Sequence, residues 1–243
     1  MYKTMPLLIL ILSLAVISPA RADAGKDPYP AMAPIGQYQY ANQAGEIALA
    51  RSAAPASISD KAEILVLGAH GYETAVQGSN GFVCFVQRSW ANDFDAPEFW
   101  NPKIHMPECW NSAAVSSVLP DYLKRTQWVL AGVSKKEMLA RTKAALAAHE
   151  IGPPAPQSMA YMMSREQYIK DPPTGHWYPH VMFFVPAPEA GKWGANLPGA
   201  PIFSATSDVE PITTFFVVVP KWSDGTLGPY TPATSTPETH HHG

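Results

Sequence analysis

Residues 64–86 read ILVLGAHGYETAVQGSNGFVCFV, and this stretch decides the fold class. Ile64 to Leu67 is a short apolar run, and Tyr72, Thr74 and Val76 alternate with Glu73, Ala75 and Gln77 as a half-buried strand does. Phe82 to Val86 is apolar on both faces, the pattern of a more central strand. Gly68-Ala69-His70-Gly71 and Gly78-Ser79-Asn80-Gly81 separate the runs, and Asn-Gly supplies the positive φ angles of a tight hairpin. The expectation is a three-stranded meander with Cys84 on its third strand.

Around this block the pattern changes period. Asn42 is placed to cap a helix that runs to about Ala53 and is stopped by Pro55. Residues 88–111 are rich in aromatics and prolines without a regular period, and read as an irregular segment packed on the core. Helical character returns from Asn111 to about Ala131, where Pro120 suits the first turn of a second helix. Ser134 and Glu137 form a capping box, with Met138, Leu139, Thr142, Ala145, Leu146 and His149 on one stripe. Met159–Met163, His180–Val185 and Thr214–Val219 then read as strands, the last two as possible neighbours in one sheet.

Strands grouped at both ends of a helical middle indicate an α+β fold, mainly antiparallel, in a single domain over residues 41–222. An N-terminal arm, 23–40, precedes it. The Thr, Pro and Gly-rich tail, 223–243, is expected to be disordered.

Residues 1–22 combine a basic start at Lys3, an apolar run from Pro6 to Ile17 and a closing Ala20-Arg21-Ala22, the layout of a secretory signal peptide cut after Ala22. The run is shorter than the roughly 20 apolar residues of a membrane span, so no stable membrane insertion is expected after its removal. The expected location is the periplasm or the extracellular medium. The chain carries 17 Lys and Arg against 20 Asp and Glu. Loss of Lys3 and Arg21 with the leader increases the acidic excess, which argues against a nucleic-acid partner. In an oxidising compartment the two cysteines, Cys84 and Cys109, are expected to form one disulfide; two buried thiols or a metal site are the competing readings.

Five patches in order carry a resemblance. They are Ser52-Ala53-Ala54-Pro55, Ser79-Asn80-Gly81-Phe82-Val83-Cys84, Pro107-Glu108-Cys109, Ala160-Tyr161-Met162-Met163 and Pro179-His180-Val181-Met182. Together they resemble a family of uncharacterised exported bacterial proteins. The resemblance implies an exported single domain with paired cysteines, and no activity. The chain departs from the family pattern at Trp177-Tyr178 and in having Ala160, not Gly, before Tyr161.

Candidate chemistry is sparse. His176 and His180 are the sharpest metal-ligand pair, although four residues of extended strand span about 13 Å, too far for one ion. His70 or His105 would have to join His180 to complete such a site. His149 reads as packed on its helix stripe. Asn92, Asp93, Asp95 and Glu98 offer oxygens for calcium but lack the EF-hand order. Serine-hydrolase elbows and phosphate-binding loops are absent from the sequence, and no cofactor is implied. Trp100, Trp177 and Tyr178 are candidate ligand-binding aromatics, with core packing as the competing role. The expected function is a non-catalytic domain that binds a small ligand or a protein partner. The alternative is a metal-assisted hydrolase built around His180, which leaves open whether the chain is an enzyme.

Overall fold

The computed structural model describes residues 28–172, 177–198 and 200–229. Eight strands form one sheet: β1 (Glu63–Leu67), β2 (Tyr72–Val76), β3 (Val83–Gln87), β4 (Met106–Trp110), β5 (Met159–Met162), β6 (His180–Pro186), β7 (Ile202–Thr206) and β8 (Ile212–Val218). Their order is β2-β1-β3-β4-β5-β6-β8-β7, and every pair is antiparallel except β1 with β3. Among the described residues five α-helices accompany the sheet: α1 (Gln43–Arg51), α2 (Ala56–Ser59), α3 (Ser112–Ser117), α4 (Leu119–Leu130) and α5 (Lys135–Ala147). The fold is α+β, as expected.

The helix starts follow from local chemistry. Asn42 Oδ1 accepts from the Gly45 N–H at 2.7 Å and Asn111 Oδ1 from the Ala114 N–H at 3.1 Å, each satisfying an amide that the first turn leaves without an intrahelical partner. Pro120 stands in the first turn of α4, where its missing N–H removes nothing. Ser134 Oγ accepts from the Glu137 N–H at 3.2 Å, but the Glu137 carboxylate turns forward to Arg141, so the capping box is only half made. His149 lies beyond the end of α5 at φ 58° and is exposed, which corrects the expectation that it packs on the stripe.

The meander is corrected too. β2 forms a hairpin with β1, but β3 lies on the other side of β1 and runs parallel to it, with Glu63 facing Val83 and Ile64 facing Cys84. Residues 77–82 therefore pass across the start of β1. The Ser79 N–H bonds the Lys61 carbonyl at 2.8 Å and the Glu63 N–H bonds the Phe82 carbonyl at 2.9 Å. Gly78 presses so closely that a Cβ there would lie 2.1 Å from the Glu63 nitrogen. Asn80 ties the crossing down: its Nδ2 donates to the Ile58 carbonyl and its Oδ1 accepts from the Phe82 N–H.

The two faces of the sheet carry separate cores. On one, Ile64, Cys84, Val86 and Cys109 pack beneath Leu49, Ala50 and Ala53 of α1 and the residues after it. Cys84 faces Cys109 across β3 and β4 with a Cα–Cα distance of 4.0 Å, and the two form the disulfide. On the other face, Leu65, Phe85, Trp110, Met162, Met182 and Phe184 meet Tyr122 of α4, Met138 of α5 and the aromatics of residues 88–104. Arg88 links the layers. Fully buried, it donates to the carbonyls of Tyr38 and Val86 and pairs with Glu46 of α1 at 2.7 Å.

Three further segments differ from expectation. Part of the supposedly irregular stretch 88–111 is the central strand β4. β7 is an edge strand that had no clear sequence signal. In the arm, whose order the sequence leaves open, Tyr38 is buried and its hydroxyl donates to the Trp100 carbonyl at 2.8 Å. The start of the tail folds back on the domain: the Ser223 N–H bonds the Met163 carbonyl and its hydroxyl the Ser52 carbonyl. The rest of the tail and the expected leader lie outside the described residues. Among the described residues no helix is long and apolar enough to cross a membrane.

Candidate functional site

Between the second face of the sheet and the α4 side lies a cavity of about 530 Å³, within the range of small-molecule sites. Its floor is built from alternate residues of neighbouring strands, because side chains at i and i+2 share a face. Met106, Glu108 and Trp110 come from β4, Met162 from β5, and His180, Met182 and Phe184 from β6. Thr214 and Phe216 of β8 continue it, and Tyr122 of α4 faces it.

Glu108 is the unusual member. It is 4% exposed, and Trp110 Nε1 donates to its Oε2 at 2.5 Å. No cation pairs with it among the described residues. Burial pushes its carboxyl up to about 8, against a smaller downward pull from the Trp110 bond. At neutral pH Glu108 is therefore mostly a neutral acid.

His180 occupies the same face. Cys109 faces Tyr161 and Trp110 faces Ala160; continuing that register by one residue brings Glu108 opposite Met162, and Met162 faces His180. Two strand spacings, roughly 10 Å, thus separate the two backbones. His180 Nδ1 donates to the Tyr178 carbonyl at 2.7 Å, which leaves Nε2 as the acceptor nitrogen of a neutral ring. Burial lowers its pKa to about 4, and the Tyr178 bond raises it only partly back.

The mouth is acidic. Asp121 is raised to about 6, first by burial and then by the neighbouring Glu210, and Asp93 is raised by burial and by Asp95. Arg125 pairs with Glu210, and Lys170 lies 3.6 Å from Glu98.

Of the candidates that the sequence offers, the structure brings Trp177 and His180 to this cavity, their ring centroids 4.7 Å apart. Tyr178 contributes its carbonyl to His180, and its side chain is not part of the cavity wall. Trp100 is corrected to a core residue: it is buried, edge-on to Phe99 at 4.7 Å, and away from the cavity. His176 lies outside the described residues. His70 is exposed in the β1–β2 turn, and His105 packs on the Tyr40 ring at 4.8 Å, lowered to about 4 by burial and by Arg88. Among the described residues no group of three or more His, Cys, Asp or Glu side chains is placed to hold a metal ion, the acidic loop around Asp93 included.

Glu108 was missed as a site residue. Its signal was an acid flanked two residues away on each side by Met106 and Trp110 and followed directly by the disulfide cysteine Cys109. No protein-family model, no curated protein and no solved structure matches this chain.

Proposed function

We propose that this chain is an exported protein that holds a small, largely apolar ligand in the cavity above β4, β5 and β6, without catalysis of its own. One observation carries the reading: a space of about 530 Å³ walled by Met106, Trp110, Met162, Met182 and Phe184 offers two well-placed polar groups, Glu108 and His180. Apolar walls with a few fixed polar atoms are the usual composition of a ligand site. Export is supported by the apolar run from Pro6 to Ile17 and by the Cys84–Cys109 disulfide. The family resemblance points the same way.

The test uses the neutral dye N-phenyl-1-naphthylamine, whose fluorescence rises on leaving water. The purified protein is expected to take it up saturably. Met182→Trp, which fills the cavity from its floor, is expected to weaken uptake by about tenfold or more. No saturable uptake, or equal uptake by a folded variant, contradicts the reading.

A further inference from the structure

We infer that the ligand of this cavity is an organic monocation, an apolar body bearing one ammonium group that docks against the carboxylate of Glu108. The inference rests on the cavity being a ligand site, and it adds the charge class.

Three features of the cavity converge on a cation. First, Glu108 is a buried carboxyl without a counter-ion. A buried carboxyl ionises only where a partner charge stabilises it, as Arg88 does for the buried Glu46. Glu108 has a single hydrogen bond, from Trp110, and its Oε1 accepts or donates nothing among the described residues. A ligand ammonium in the cavity supplies what the fold leaves out.

Second, the walls are aromatic. Trp110, Tyr122, Trp177 and Phe216 line the space, and ring faces attract cations, more strongly when water is excluded. Third, the charged groups around the space favour a cation and oppose an anion. Besides Glu108, the lining contains four acids, Asp93, Glu98, Asp121 and Glu210, against Arg125 and Lys170. Both bases are already engaged, Arg125 with Glu210 and Lys170 with Glu98. His180, held neutral by burial, adds no positive charge.

Docking has a definite proton balance. At pH 7 Glu108 carries its proton, whereas Asp121 and His180 change charge at about 6 and about 4. An arriving ammonium keeps its own proton and ionises Glu108, so one proton leaves the carboxyl for solvent as the ion pair forms. A neutral ligand that merely accepts a hydrogen bond from Glu108 releases none.

Three probes with one apolar body separate the possibilities: 1-naphthylmethylamine, which is protonated at pH 7, the neutral 1-naphthylmethanol and the anionic 1-naphthoate. Calorimetry on the wild-type protein, in two buffers of different ionisation enthalpy, is expected to show the amine binding about tenfold or more tightly than the alcohol. It is also expected to show release of close to one proton with the amine alone, and the weakest binding for the carboxylate. Glu108→Gln, which keeps an oxygen for Trp110, is expected to remove both the preference and the proton release. The charge assignment is overturned if the alcohol or the carboxylate binds as tightly as the amine, if no proton is released, or if the amine fails to bind while the neutral dye is still taken up. Failure of the dye as well overturns the cavity reading beneath it.

Discussion

Glu108 and His180 stand on one face and in one row of the sheet, separated by the strand that carries Met162, and at neutral pH the acid keeps its proton while the imidazole lacks its second one. The same burial has opposite consequences for the two groups, because low polarity disfavours whichever form is charged. The cavity floor is thus polar without being charged.

The raised pKa of Glu108 makes stability fall with pH. Its ordinary value of 4.5 is pushed up to about 8, so the folded protein holds a proton that the unfolded chain has lost, and stability declines between those values. His105 and His180, lowered to about 4, act in the opposite direction up to about 6.5, and Asp121 completes its change near 6. Between about 6.5 and 8 only Glu108 of these four is titrating. Urea unfolding across that window is expected to show stability falling by up to about 1.4 kcal/mol per pH unit, and Glu108→Gln to flatten the slope. An unchanged slope in the variant counts against the assignment.

The Cys84–Cys109 bridge joins facing residues of β3 and β4 across a sequence separation of 25. For a loop of that length the chain-entropy estimate is about 3–4 kcal/mol. Reduction, or the Cys84→Ala/Cys109→Ala pair, is expected to lower unfolding stability by that order, measured against the oxidised protein at the same denaturant concentrations.

Glu46 and Arg88 form a pair closed off from water, and Glu46 Oε1 also accepts from the Leu67 N–H at 3.1 Å. Glu46→Ala leaves a buried guanidinium short of its charge partner and a strand amide short of its acceptor. A loss of about 3–5 kcal/mol is expected, with Glu46→Gln milder because it retains an oxygen. Denaturant melts of both variants check the order.

Gly78 and Gly132 separate two reasons for glycine. At Gly78 a Cβ would strike the backbone at Glu63, so Gly78→Ala is expected to cost about 3 kcal/mol, the upper end of overpacking penalties. At Gly132 the space is open and only the φ of 72° resists a side chain, so Gly132→Ala is expected to cost about 1 kcal/mol. Paired melting curves decide it, and a smaller loss at Gly78 would show that the crossing over β1 is not so tight.

Much of this fold was legible where periodicity and capping chemistry were strong. α5 announced itself through Ser134, and β6 and β8 through apolar runs that pair along their whole length, from His180 with Val218 to Pro186 with Ile212. The neighbour of β3 was hidden, because Asn80-Gly81 fits a hairpin turn as well as the crossing that Gly78 permits. β4 was hidden by Pro107, which is tolerated because the N–H groups of His105 and Asn111 point to the β5 side, and there β5 pairs with β4 only at Cys109 and Trp110, leaving no strand opposite the missing N–H of Pro107. The site was hidden for a related reason: a carboxyl on a buried face breaks the alternation that reveals strands. Only the packing of Met106, Trp110 and Met162 around Glu108 shows that the break encloses a space.

The central claim is that Glu108 is a lone, water-poor carboxyl facing a ligand cavity. Its ¹³Cδ chemical shift, followed by NMR from pH 5 to 10 with and without N-phenyl-1-naphthylamine, tests this most directly. The account predicts a midpoint near 8 in the free protein and a further displacement when the dye is present. A midpoint in the ordinary carboxylate range, indifferent to the dye, would contradict it.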